Sequence, residues 1–155
     1  MTTDAQFEEW AALADPALPP AEAVRKAVHG ELGAIYELAN NSALPLDAIL
    51  LLLRRDDPVV AGLLLFHDVP TEVVIAIMEQ FSGEEGLVRT AKWHANAPVA
   101  VKLTLPLAEV VGGSLESFFA MVRATSDERA VVHSAIVEEE RVTLAEVWAR
   151  ARPVR

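Results

Sequence analysis

Residues 41–80 read NSALPLDAILLLLRRDDPVVAGLLLFHDVPTEVVIAIMEQ and hold two copies of one pattern. Each copy has a small or polar turn, an apolar residue followed by proline, and an apolar helix of about three turns. Leu44-Pro45 opens the first copy and Val69-Pro70 the second. Proline suits the first turn of a helix, because its φ is already fixed near the helical value and its missing N–H would have no acceptor there. The segment predicts a helical repeat. It speaks to architecture far more directly than to activity.

Composition agrees with helices. The 155 residues suffice for one substantial core, and the domain expected is a single helical-repeat unit over 1–155. Hydrophobic residues make up 52% and aromatic ones only 6%, so the core is built from Leu, Val, Ala and Ile rather than from the alternating β-branched and aromatic residues of a sandwich or barrel. There is no cysteine, which excludes disulfides and thiolate metal sites. The central apolar runs, Ala48 to Leu53 and Val59 to Phe66, are bounded by charged or polar residues and fall far short of the roughly 20 residues of a membrane span. The acidic start MTTDAQFEEW lacks a secretory pattern, and a soluble cytoplasmic protein without membrane partners is the expectation.

The net charge of -10 is unevenly placed. Residues 1–80 carry 13 acidic and 4 basic side chains, whereas residues 81–155 carry 10 and 9. An acidic first half disfavours phosphate-backbone binding and suits a basic protein or peptide partner.

Outward from the central stretch, Thr3 with Gln6 predicts a capping box for a helix over 4–14, with Phe7, Trp10, Ala11 and Ala14 on one face and Trp10 in core or end packing. A second helix over 21–29 turns Ala23, Val24, Ala27 and Val28 inward and ends at Gly30. A third over 31–40 has Leu32, Ile35, Leu38 and Ala39 as its stripe, with Gly33 as an unfavourable interior residue. Between adjacent repeats, Leu50, Leu53, Leu63, Leu64, Val74 and Ile77 are the expected shared core.

In the second half, Ser82 with Glu85, Thr125 with Glu128 and Thr143 with Glu146 predict three further capping boxes. VAVKLTL at 99–105 alternates like a strand, but helical neighbours make a short helix or connector the better reading. Gly112-Gly113 breaks the chain, and Ser114 is expected to cap a helix burying Leu115, Phe118, Phe119 and Val122. Leu144, Val147 and Trp148 close the stack, leaving Arg150, Arg152 and Arg155 in a frayed basic tail.

The string from Leu38 to Pro45, LANNSALP, resembles the turn of leucine-rich-repeat-variant proteins, relatives in shape of the HEAT-type α-solenoids. His67-Asp68-Val69-Pro70 and the segment from Trp93 to Pro98 are looser versions. Asp57-Pro58-Val59-Val60 resembles the other turn of such a unit, and the segment from Leu105 to Val110 echoes that from Leu44 to Ile49. The likeness covers residues 15–110. Pro19, Pro45, Pro70 and Pro106 follow one another at 26, 25 and 36 residues, and Thr143 lies 37 further on, as if later repeats were enlarged. The resemblance implies an all-α, short right-handed α-solenoid of degenerate repeats, because one unit cannot bury its own apolar face. It carries over no cofactor: an iron–sulphur cluster would require cysteines.

Candidate chemistry is sparse, and no catalytic, cofactor or metal residue is assigned. His67 and His94 occupy comparable places near repeat turns, where capping of backbone groups is favoured over metal ligation. His29 and His133 stand alone, Glu138-Glu139-Glu140 reads as a solvated face, and Gly112-Gly113-Ser114 lacks the lysine of a phosphate loop. The expected function is a non-catalytic protein-interaction module. Its partner surface draws on the acidic residues Glu22, Glu31, Asp47, Asp56, Asp57 and Glu72, with Asp47, Asp56, Asp57 and Glu72 as the site. The alternative is a HEAT-like repeat enzyme or nucleic-acid-associated module, which would need a basic groove or clustered carboxylates and histidines.

Overall fold

Proline and threonine set where the helices begin. A computed structural model describes residues 3–110 and 112–154. In it Pro19, Pro45 and Pro70 stand at the N-caps of their helices with φ of -58, -66 and -60° and extended ψ of 137, 150 and 154°. The prolines thus sit one residue earlier than the first helical turn. The fold is all-helical and divides into two compact units, Met1–Val88 and Arg89–Arg155, with the division inside the seventh helix.

The first unit contains α1 (Asp4–Leu13), α2 (Pro20–His29), α3 (Leu32–Ala39), α4 (Leu46–Leu53), α5 (Pro58–Leu64), α6 (Thr71–Gln80) and the start of α7 (Glu85–Trp93). Helices pack on their next-but-one neighbours, α1 on α3 and α3 on α5 in one row, α2 on α4 and α4 on α6 in the other. Consecutive helices α2 to α5 also touch, so the rows form a repeating series of helix pairs.

Successive helices bury the same stripe. Ala34, Ile35, Leu38 and Ala39 of α3 correspond to Ala48, Ile49, Leu52 and Leu53 of α4, to Val60, Ala61, Leu64 and Leu65 at α5, and to Val73, Val74 and Ile77 of α6. An i, i+1, i+4, i+5 stripe occupies one side of a helix and lets a single helix face two neighbours. Of the expected shared core, Leu53, Leu64, Val74 and Ile77 are buried. Leu50 is not: it lies 39% exposed, one residue out of phase with the stripe, and Leu63 is only half-buried. Val28 and Leu32 are likewise turned outward, at 45% and 55% exposure, since the stripe of α2 runs through Ala23 and Ala27 and that of α3 through Ala34, Ile35, Leu38 and Ala39. On α1 only Leu13 is buried, and Phe7 and Ala11 face solvent.

Two glycines answer to close approach. A Cβ on Gly30 would lie 2.5 Å from the Lys26 carbonyl oxygen that its own N–H bonds. At Gly33 a Cβ would meet the Trp10 ring at 2.4 Å, which explains a glycine inside α3. Trp10 is half-buried, with the edge of Phe7 against it at 6.1 Å between centroids. Gly33→Ala should therefore destabilise by about 1–3 kcal/mol, the steric cost outweighing the roughly 1 kcal/mol that alanine adds in helix propensity. Combined with Trp10→Ala the penalty should vanish, and a thermal or denaturant double-mutant cycle showing simple additivity would refute that contact.

The second unit holds the rest of α7, α8 (Val99–Leu103), a one-turn 3-10 helix (Leu107–Glu109), α9 (Gly113–Val122), α10 (Ser126–Val137) and α11 (Leu144–Ala151). α8 packs on α9 and α11, and α10 on α11, around Leu107, Leu115, Phe118, Phe119, Val132, Leu144 and Val147. VAVKLTL is helical over its first five residues, as expected from its neighbours. Both threonine capping boxes form, Thr125 with Glu128 and Thr143 with Glu146. At α1 the Thr3 hydroxyl accepts from the Gln6 N–H, but the Gln6 side chain reaches Glu31 at 2.8 Å instead of closing the box.

The later repeat spacing is different from the one read off the sequence. Pro98 caps α8 with φ -57° and ψ 149°, 28 residues after Pro70, so the proline interval stays near 26. Pro106 opens only the 3-10 turn. Pro106 and Thr143 form an antiparallel bridge with each other, the Leu107 N–H reaching the Val142 carbonyl at 2.8 Å and the Leu144 N–H reaching that of Leu105 at 3.0 Å. They are partners across one unit, not equivalent positions of enlarged repeats.

Candidate functional site

A helix ends with four carbonyls that lack intrahelical donors. In the first unit a side chain from the end of the helix two places further along supplies one. Asn41, just past α3, donates to Leu13 and Asp15 carbonyls at 2.9 and 2.8 Å, at the end of α1. Arg55, past α4, donates to those of Ala27 and Gly30 at 3.1 and 2.8 Å, at the end of α2. His67, past α5, lies with Nε2 3.0 Å from the Ala39 carbonyl at the end of α3. A carbonyl only accepts, so Nε2 carries the hydrogen. Gln80, the last residue of α6, donates to Leu53 at 2.7 Å, at the end of α4. Backbone capping is therefore what His67 does, in a ladder of four chemically different donors.

The four candidate partner residues fall at two ends of the first unit. Asp47 and Glu72 are exposed and occupy the same second position of α4 and α6, adjacent helices of one row. Asp56 and Asp57 follow the far end of α4, about 12 Å away along an eight-residue helix. Asp57, expected to be exposed, is half-buried: one oxygen caps α5 through the Val59 N–H at 2.8 Å, and the other accepts from the Tyr36 hydroxyl at 3.0 Å. That bond pushes the Tyr36 hydroxyl pKa up. Asp56 has a left-handed φ of 54° and accepts from Gln80 at 3.0 Å. Glu22 is half-buried and paired with Arg25, which holds its carboxyl below the usual range, and Glu31 is exposed at the N-cap of α3.

Beside Asp47 and Glu72, where the α3–α4 and α5–α6 turns meet, a cavity of about 210 Å³ opens. Leu44, Leu46, Ile49, Leu64, Val69 and Pro70 line it with the polar Asn41, Ser42, His67 and Asp68, and among the described residues no lysine or arginine does. Leu46 is 36% exposed.

The second unit contains a feature the sequence reading missed. Lys102 of α8 is fully buried, its Nζ 2.8 Å from the His94 carbonyl and 3.0 Å from Ser114 Oγ. Burial pushes its ammonium pKa down to about 8. Ser114 is accordingly not the cap of α9. Gly112 holds that place with a left-handed φ of 63°, and Ser114 is buried in the first turn. Ser114 lines a cavity of about 600 Å³ with Arg89, Trp93, Ala108, Glu109 and Gly113. The one sequence signal was a lone lysine among Val99, Val101, Leu103 and Leu105.

The other expected features resolve as structure. His94 Nδ1 accepts from the Asn96 N–H at 3.0 Å, and the ring of His133, on an exposed residue, lies 5.5 Å from that of Phe119. Arg150 pairs with Glu140 at 3.0 Å. Arg152 grips both oxygens of Glu128 at 2.5 and 3.0 Å, reaches the Val122 carbonyl at the end of α9 and lies 4.7 Å over Trp148. These arginines belong to the packed unit rather than to a frayed tail, and Arg155 lies outside the described residues. Among the described residues no group of three or more His, Cys, Asp or Glu could hold a metal ion, and no helix is long and apolar enough to cross a membrane.

The Arg152 guanidinium and the Thr125 N–H hold the Glu128 carboxyl at about 2, below its ordinary 4.5. The folded-state pKa is depressed, so the stabilisation is complete above about 4.5 and is lost as pH falls toward 2. Compared with Glu128→Gln, the wild-type chain should lead in stability at pH 6 and lose that lead by pH 2. A constant difference across denaturation curves over this range would contradict the pairing.

No family model, curated protein or solved structure matches the chain. What the geometry defines is an all-helical protein with a repeating helix-pair pattern.

Proposed function

We propose that the chain is a protein-interaction module of the HEAT-like, leucine-rich-repeat-variant kind, a short right-handed α-solenoid. In this reading its first unit binds a basic, partly apolar protein or peptide segment at the edge where α4 and α6 begin. The observation that carries this reading is the cavity of about 210 Å³, part apolar through Leu44, Leu46, Ile49, Leu64 and Val69 and part polar with Asp68 in its lining, beside exposed Asp47 and Glu72 at the starts of α4 and α6. An apolar side chain of the partner fills the cavity while its lysines or arginines meet the carboxylates, the usual division between a desolvated anchor and a charged rim. Carboxylates at helix starts also favour the helix dipole, but that accounts for neither the cavity nor the partly exposed Leu46 beside it. Asp56 and Asp57, engaged at the opposite end of α4, contribute to the field that steers a basic partner rather than to the pocket. The acidic balance of residues 1–80 favours this reading over a nucleic-acid-associated one.

The test is a selection of random displayed peptides on the full chain, followed by affinity measurements at several salt concentrations. Enriched peptides should pair Lys or Arg with Leu, Ile, Val or Phe, weaken with salt, and bind Asp47→Lys/Glu72→Lys at least about tenfold less tightly. Enrichment of acidic peptides, or unchanged affinity for the folded double variant, would remove this edge from consideration.

A further inference from the structure

The ladder of the first unit shows what a backbone-capping side chain looks like in this protein, and Lys102 departs from it. Asn41 of that ladder is also buried, at 3% exposure, but it is a neutral amide, whereas Lys102 is an ionisable amine buried to 0% exposure. Its second partner is a serine hydroxyl, and both partners are neutral groups. A lysine held this way is costly for the fold as a cation and is the usual form of a lysine general base. The serine it touches is among the residues lining a cavity of about 600 Å³, large enough for a small-molecule substrate.

We propose that Ser114 and Lys102 form a nucleophile–base pair that performs acyl transfer on small esters carrying an apolar acyl group. Three features of the geometry support it. Ser114 Oγ and Lys102 Nζ are 3.0 Å apart, within the reach a base needs to take the hydroxyl proton. Ser114 lies in the first turn of the ten-residue helix α9, whose first N–H groups have no acceptor within the helix and are the donors an oxyanion formed at Ser114 would use. Trp93, 42% exposed, and Ala108 give the cavity an apolar wall, with Arg89 and Glu109 as its charged residues. Serine–lysine pairing is one of the convergent variants of the serine–histidine arrangement. The lowered ammonium pKa of about 8 leaves roughly a tenth of the amine neutral at pH 7.

The steps balance without a further reagent. Ser114 Oγ attacks the carbonyl carbon of the ester and its proton passes to the neutral Lys102 amine. The tetrahedral oxyanion accepts hydrogen bonds from the first-turn N–H groups of α9. Its collapse breaks the bond to the leaving alcohol, which takes the proton back from Lys102 and departs. Water, deprotonated by Lys102, then attacks the acyl-serine ester, and collapse of this second tetrahedral intermediate breaks the bond to Ser114 Oγ, which takes the proton back from Lys102 as the carboxylic acid leaves. This proposal concerns the second unit alone and does not depend on the peptide-binding reading of the first.

The test uses the full chain, a fluorophosphonate probe and p-nitrophenyl acetate. One probe adduct per chain should form, mapping by mass spectrometry to Ser114, with ester turnover that the probe abolishes. Ser114→Ala should lose both, and Lys102→Met should slow both by about 100-fold or more. No adduct, an adduct at another residue, or an unchanged rate in Lys102→Met overturns the proposal. Because removing Lys102 alters a buried site, a second measurement keeps that side chain in place. The chain has no cysteine, so Ser114→Cys introduces a single thiol beside the ammonium. It should react with iodoacetamide at pH 7 at least about tenfold faster than the exposed reference Ser134→Cys. An equal or slower rate also overturns the proposal.

Discussion

Replacing Leu53 by alanine should lower stability by about 2–5 kcal/mol, and replacing Leu50 by less than about 1 kcal/mol. The two side chains stand three residues apart in one run of leucines and have the same chemistry, so composition cannot separate them. Their surroundings do. Leu53 is 4% exposed on the buried stripe of α4, whereas Leu50 is 39% exposed on its outer face. Truncating Leu53 removes buried methyl groups and leaves a cavity that flanking helices fill only in part, while Leu50 already contacts water. Urea denaturation of the two variants decides the matter, and equal losses would mean that the stripe is misplaced.

Phe118→Ala should cost about 3–5 kcal/mol, the largest single effect in the second unit. Phe118 is fully buried, and Trp148 of α11 meets it edge to face at 5.1 Å between centroids. The substitution removes an aromatic volume that no neighbour can replace and takes the ring partner from Trp148. Phe118→Leu keeps most of the volume and should cost distinctly less. Denaturant titrations of both variants check the order, and a loss below about 1 kcal/mol for alanine would place Phe118 outside the core.

Proline spacing made the first unit legible, because an N-cap proline acts locally and needs no tertiary partner. The capping ladder has the same period, Asn41 to His67 at 26 residues and Arg55 to Gln80 at 25, yet asparagine, arginine, histidine and glutamine do not look like repeats of one another. Their shared property is a donor placed just past a helix end. Phase was the weaker signal: in ILLLL of α4 every residue is apolar, so nothing polar marks which leucines face out. The same difficulty hid Lys102, since α8 is only five residues long and too short for its buried side to be read from periodicity. The division of the acidic residues was not read from the chain, where Asp47, Asp56, Asp57 and Glu72 were grouped as one site, although an eight-residue helix separates Asp47 from Asp56. Asp57 needed the Tyr36 hydroxyl in place before its engagement was visible.

The common edge formed by the starts of α4 and α6 joins the fold to its proposed function, and a cross-linking measurement tests it most directly. With no native cysteine, Asp47→Cys/Glu72→Cys offers a single pair of thiols at equivalent positions of adjacent helices, whose axes lie about 8–10 Å apart. Asp56→Cys/Glu72→Cys places the first thiol at the opposite end of α4, about 12 Å further along it. A short bismaleimide should join the first pair rapidly within one chain and the second pair slowly. Rapid linkage of the second pair with none of the first would contradict the shared edge, and with it the site proposed there.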